Sequence, residues 1–170
     1  HQLTEGRFVL GLGASTRQLA EGWHNVAYER PAARLRAVTS QVRGLLNGDR
    51  AAVSAVPGAR ALRLGQPPVP ELPIWVGTGG NRESAVYAGR LGLPLTLANI
   101  SLPPKTLAPQ VADYRYVGLE MGHDLSQLRV NLAGHMHIEE ESGAARKSFY
   151  PYYAAYFASH APKRSYLANV

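Results

Sequence analysis

Short apolar runs recur along the chain, the first two ending in glycine, and each is followed by a stretch whose apolar residues return every three or four positions. Phe8-Val9-Leu10-Gly11-Leu12-Gly13 is the first run, Pro73-Ile74-Trp75-Val76-Gly77 the second and Leu95-Thr96-Leu97-Ala98-Asn99-Ile100 the third. Strands buried on both faces of a parallel sheet read in this way. Strands are therefore expected at about residues 8–12, 74–77 and 95–100, with Trp75 as core. After the first, Pro31 suits the opening turn of a helix, where its missing N–H costs nothing, and Leu35, Val38, Val42 and Leu45 repeat at intervals of 3, 4 and 3 up to Asn47-Gly48. Residues 83–91 give a second helix. Leu107, Val111, Tyr114, Val117 and Met121 form the apolar stripe of a third, which Gly122 closes.

The segment 128–138 alternates instead. Val130, Leu132, Met136 and Ile138 fall on one face, and Arg129, Asn131, Ala133, His135 and His137 on the other. A fourth strand at about 129–137 is expected, with Met136 packed in the core and Asn131, His135 and His137 aimed together into the interior of a barrel. A last helix over 142–161 carries Pro151, which predicts a kink or a helix start, and Tyr150, Tyr152, Tyr153 and Tyr156, which predict packing. Between residues 49 and 72 the chain is irregular, with turn signals at Pro57-Gly58 and Gln66-Pro67-Pro68 and room for a hairpin. Strand followed by helix, four times, predicts an α/β fold: parallel strands with outer helices, forming a single domain over residues 1–170.

Length changes this picture. A complete eight-stranded parallel barrel needs about 250 residues, and the chain has 170. His1 and Val170 both read as cut ends, so a partial TIM (β/α)8-type barrel is expected. The absence of cysteine excludes disulfides, a thiolate nucleophile and thiolate-bound metal. The net charge of +6 comes from 18 basic residues against 12 acidic, dispersed along the chain and without an aromatic-basic strand or recognition helix. Nucleic acid is therefore not an expected partner, whereas a small anionic ligand fits the charge. No apolar run reaches the roughly 18 residues of a membrane span, and no signal core is present. The expected location is the cytoplasm, with no membrane contact.

Gly6-Arg7-Phe8-Val9-Leu10-Gly11-Leu12-Gly13 resembles the "GRF-x-LGLG" strand of the luciferase-like flavin monooxygenases, and Tyr28-Glu29-Arg30-Pro31 with Arg34-Leu35 resembles the opening of the helix that follows there. Leu72-Pro73-Ile74-Trp75-Val76-Gly77-Thr78-Gly79-Gly80 resembles the family's "LPIWVG-x-GG" strand and loop. Gly89-Arg90-Leu91-Gly92-Leu93-Pro94 and Gly122-His123-Asp124 continue the likeness in the same order, from Gly6 to about Tyr153. The resemblance implies the middle and carboxy-terminal part of a luciferase-like barrel, with amino-terminal strands missing. It further implies a flavin-dependent oxidoreductase or monooxygenase, often oligomeric, that uses FMN or alternatively a deazaflavin. Its partners would be a small-molecule substrate, a flavin reductase or reduced nicotinamide as electron source, and further copies of itself.

The candidate site residues gather at the carboxy ends of the expected strands. Gly77, Thr78, Gly79, Gly80, Asn81 and Arg82 lie between a strand and a helix, where glycines admit a phosphate to backbone N–H groups and the helix start favours its charge. A tight turn without a ligand asks for the same glycines. The resemblance assigns the phosphate contact to Gly79 and Gly80. Ser15, Thr16, Arg17 and His24 follow the first strand as contacts to substrate or flavin, with Glu21 and Trp23 in the same loop. On the fourth strand Asn131 and His137 are further contacts, and His135 is the candidate acid or base. Two alternatives stay open: a non-catalytic half-barrel that binds a flavin or phosphate, and a metal-dependent barrel hydrolase using His135 and His137.

Overall fold

The computed structural model describes residues 1–50, 61–100 and 104–160. The turn expected at Pro57-Gly58 and the far end of the last helix, at Ala161, lie outside the described residues. The chain divides into two compact units, His1–Gly134 and His135–Val170.

The first unit is built on four parallel strands in sequence order: β1 (Leu10–Gly13), β2 (Ile74–Thr78), β3 (Leu95–Ala98) and β4 (Val130–Ala133). Leu10 pairs with Ile74, Val76 with Leu95 and Leu95 with Val130, so the register is continuous across the sheet. Its helices are α1 (Pro31–Leu46), α2 (Arg82–Arg90) and α3 (Ala108–Glu120). Alternation along β2 and β3 buries Ile74, Val76, Thr78, Leu95 and Leu97. Val76, Leu95 and Leu97 pack with Leu35 of α1, Ala85 and Ala88 of α2, Leu107, Tyr114 of α3 and Leu128 in one core. Each large aliphatic side chain fully buried there contributes about 1.5–3 kcal/mol. The opposite face of the sheet carries Gly11 and Gly13, Trp75 and Gly77, Thr96 and Ala98, Asn131 and Ala133.

α2 and α3 approach each other closely because glycine stands at the crossing. A Cβ at Gly89 would collide with the Tyr114 carbonyl oxygen, and one at Gly118 would meet Leu128 Cδ1 at 2.6 Å. The buried side of α3 is therefore Gln110, Tyr114 and Gly118, preceded by Leu107, while Met121, expected on that stripe, is exposed. On α1 the buried residues are Ala32, Leu35 and Thr39, and Val38 turns outward. Trp75 is only half-buried, with the Arg129 guanidinium 5.3 Å from its ring centroid.

The fourth strand corrects the sequence expectation most. β4 ends at Ala133, so His135 and His137 do not lie on it, and the shared inward direction derived from alternation does not apply to them. Met136 is 78% exposed and Ile138 75%, so neither is core. The cause is the partner strand. β3 stops at Ala98, whose register partner is Ala133, and Gly134 then sits where a Cβ would be 3.0 Å from the Asn99 carbonyl oxygen. With no further strand beside it among the described residues, the chain leaves the sheet.

The second unit, as far as it is described, is the segment from His135 and the helix α4 (Ser142–His160), with Pro151 inside it rather than at its start. Its half-buried side is Ala145, Phe149, Tyr153, Ala154 and Phe157, spaced 4, 4, 1 and 3. Tyr150, Tyr152 and Tyr156 are exposed, contrary to the expectation that all four tyrosines pack.

Candidate functional site

The loop between β2 and α2 is organised by its own side chains. Thr78 is buried, and its hydroxyl accepts a hydrogen bond from Asn81 N–H at 2.9 Å and donates to the Asn81 carbonyl at 3.2 Å. Asn81 caps α2, its Oδ1 accepting from Ser84 N–H at 3.1 Å, which satisfies one of the orphan donors of the first turn. Gly80 has φ +119°, a conformation that L side chains rarely adopt, so the turn itself requires this glycine. Gly79 is different: it is exposed, and a Cβ built there meets no heavy atom within 4 Å. The fold leaves that space open. Arg82 points elsewhere, its guanidinium paired with the Asp113 carboxylate of α3, with Nη2 donating at 2.9 Å. That pairing raises the Arg82 pKa further and commits its charge outside the loop.

After β1 the chain forms a clasp. Glu21 Oε1 accepts from Tyr28 N–H at 3.1 Å and from Arg17 Nη1 at 2.6 Å, and these two bonds hold its carboxyl below the usual range. The Tyr28 hydroxyl donates to the Ser15 carbonyl at 2.9 Å, and the Arg17 guanidinium lies 5.7 Å from the Tyr28 ring centroid. Thr16 is used locally, its Oγ1 accepting from Leu19 N–H at 3.3 Å at the start of a π-helical turn, Gln18–Trp23. The clasp borders a cleft of about 290 Å³ lined by Gly13, Ser15, His24, Tyr28, Glu29 and Arg34, among others. Ser15 and His24 thus reach one cavity, whereas Arg17 is held by Glu21. Trp23 is largely exposed.

In the second unit His135 is ringed by Tyr156, Tyr153 and Phe157, with centroids at 5.0, 5.7 and 6.2 Å. His137 stacks on Phe149 at 5.4 Å, and its Nε2 lies 2.8 Å from Glu139 Oε1 and 3.0 Å from Ser148 Oγ. Hydrogen bonds from Ser148 and then His137 hold the Glu139 carboxyl below its ordinary range. The two imidazoles have different partners, and among the described residues no group of three His, Asp or Glu side chains gathers that could hold a metal.

The family model described as luciferase-like monooxygenase matches residues 1–169. The chain belongs to that family. Solved structures agree on the fold. The luciferase-like chain is similar to the monooxygenase RslO1 from Streptomyces bottropensis, with TM-score 0.76 and 18% identity over 93% of this chain and 50% of that one. It is similar to an F420-dependent secondary alcohol dehydrogenase in complex with an F420-acetone adduct, with TM-score 0.67 and 18% identity over 87% of this chain and 46% of that one. A third is the oxygenating constituent of 3,6-diketocamphane monooxygenase from the CAM plasmid of Pseudomonas putida, in complex with FMN, with TM-score 0.69 and 15% identity over 94% and 48%. The luciferase-like chain thus spans about half the length of these structures. No curated protein matches it in sequence. Membership replaces the metal-hydrolase alternative, and no helix among the described residues is long and apolar enough to cross a membrane.

The residues of the luciferase-like sheet fit a planar, phosphate-bearing cofactor. A Cβ at Gly11 or Gly79 would meet nothing within 4 Å, and one at Gly13 or Gly77 only a neighbouring backbone oxygen at 3.5 or 3.7 Å. Two residues here carry little signal in the sequence: Thr96, a single polar residue between Leu95 and Leu97, and Tyr28, whose part in the clasp depends on Ser15 and Glu21.

Proposed function

We propose that the luciferase-like chain is the flavin-binding part of an oxidoreductase of monooxygenase type, taking FMN, or alternatively a deazaflavin, at the carboxy ends of its strands. The observation that carries this is Gly79: an exposed position with open space, at the head of a helix whose first turn is preset by Thr78 and Asn81. Backbone N–H groups and the positive end of α2 are suited there to an anionic oxygen. When bound, the isoalloxazine supplies the redox chemistry and the protein supplies position and electrostatics. Ser15 and His24, on the cleft after β1, are the proposed contacts to a small-molecule substrate. Reduced nicotinamide or a reduced flavin from a partner reductase is the proposed electron source. His135 and His137 receive no step here, since their observed contacts are aromatic rings, Glu139 and Ser148.

The test is flavin-fluorescence titration of the full protein with FMN and with riboflavin, which lacks the phosphate. The native protein is expected to prefer FMN, and Gly79→Ala, whose methyl meets no protein atom, to lose about tenfold of that preference. An unchanged preference in the folded variant would return the loop to a simple turn.

A further inference from the structure

One row crosses the sheet on the face opposite the core. Gly13 pairs with Gly77, Gly77 with Thr96 and Thr96 with Asn131. The row toward the amino ends holds Gly11 beside Trp75, and the row toward the carboxy ends Ala98 beside Ala133. The inside of an eight-stranded barrel is ordinarily filled by layers of bulky branched side chains. None stands in these rows except Thr96. The strip across β1 and β2 is bare backbone, closed on the amino side by Trp75 with Arg129 against its ring. Beside the bare strip, Thr96 is half-buried and Asn131 exposed, and neither side chain makes a hydrogen bond among the described residues.

We propose that Thr96 and Asn131 recognise the imide edge of the flavin ring, with the ring lying on the glycine strip. This rests on the flavin reading above and names the part of the ligand that the sheet itself selects. An imide edge presents carbonyl, N–H and carbonyl in a row. A side-chain amide both donates and accepts, and a threonine hydroxyl does the same, so the pair can answer all three groups. The bare strip accepts a flat ring where any larger side chain at position 13 or 77 would occupy its volume. FMN and deazaflavins share this edge, so the pair serves either.

The experiment removes the edge donor and the residues in turn. Lumiflavin, which has no ribityl phosphate, and 3-methyllumiflavin, whose edge lacks the N–H, are titrated against the native full protein and its Asn131→Leu and Thr96→Val variants. The native protein is expected to bind the methylated ring about tenfold more weakly, the scale of one lost hydrogen bond left unsatisfied. Asn131→Leu is expected to bind the two rings alike, and Thr96→Val to bind both more weakly than the native protein. Because the key readout is a ratio within one protein, a small stability change in a variant cancels. A native protein that prefers FMN to riboflavin but binds both lumiflavins alike overturns the edge assignment and leaves the flavin reading standing. So does an Asn131→Leu variant that keeps the native ratio. A protein that binds no flavin overturns both.

Discussion

Tyr114 ties three parts of the first unit together with one hydroxyl. It is wholly buried, and donates to the Leu93 carbonyl at 2.9 Å and toward the Arg129 carbonyl at 3.3 Å, so α3 is fastened to the chain just before β3 and β4. Burial pushes the phenol up to about 12. A raised value means that the fold favours the neutral hydroxyl. Its contribution is complete below the ordinary tyrosine value of about 10 and is lost as pH rises through the folded value. Alkaline unfolding followed by circular dichroism should show stability falling between about pH 10 and 12. Tyr114→Phe should remove that dependence and cost about 1 kcal/mol at neutral pH; a variant with the native alkaline profile would place the linkage elsewhere. At this scale the sequence was legible where a residue's neighbours are local. Thr78 and Asn81 were recognisable as loop residues because their bonds close within three positions. Thr96 and Asn131 become a pair only through register, and Arg82 is engaged by Asp113, 31 positions away.

Among elements, the α2–α3 crossing depends on what is absent. Gly89→Ala adds one methyl against the Tyr114 carbonyl, a backbone atom that cannot rotate aside. A loss of about 1–3 kcal/mol is expected from such overpacking, measured by urea unfolding. Exposed Gly79→Ala, with open space around it, should leave the midpoint unchanged, and a Gly89→Ala midpoint equally unchanged would show that the crossing tolerates the methyl. This also explains the misread stripe on α3. Hydrophobic periodicity cannot register a glycine, so Met121 was expected inside where Gly118 is, under Leu128. The parallel strand-helix order was readable because apolar runs and helical spacing are properties of each segment alone. The length of β4 was not, since alternation states which way residues would face if a partner continued, and β3 supplies none beyond Ala98. His135 and His137 were misplaced for that reason.

For the whole molecule, the chain spans about half of the related barrels, and among the described residues β1 and β4 each pair on one side only. Unpaired parallel edges offer rows of N–H and C=O groups to any strand that reaches them. A protein confined to residues 1–170 is therefore proposed to self-associate, and sedimentation velocity should find species larger than 18.4 kDa; a monomer at all concentrations would refute this. The glycine row sets a direction for change as well. Positions 11, 13 and 77 already carry the smallest residue that exists, so every mutation there narrows the strip and none can widen it. On the proposed placement of the ring, variants that accept a broader one gain their room where a side chain is left to trim, at Trp75, Thr96 or Asn131. Room for a broader ring thus has to come from these larger neighbours, while under the same placement a smaller ring is favoured by a single substitution at any of the three glycines.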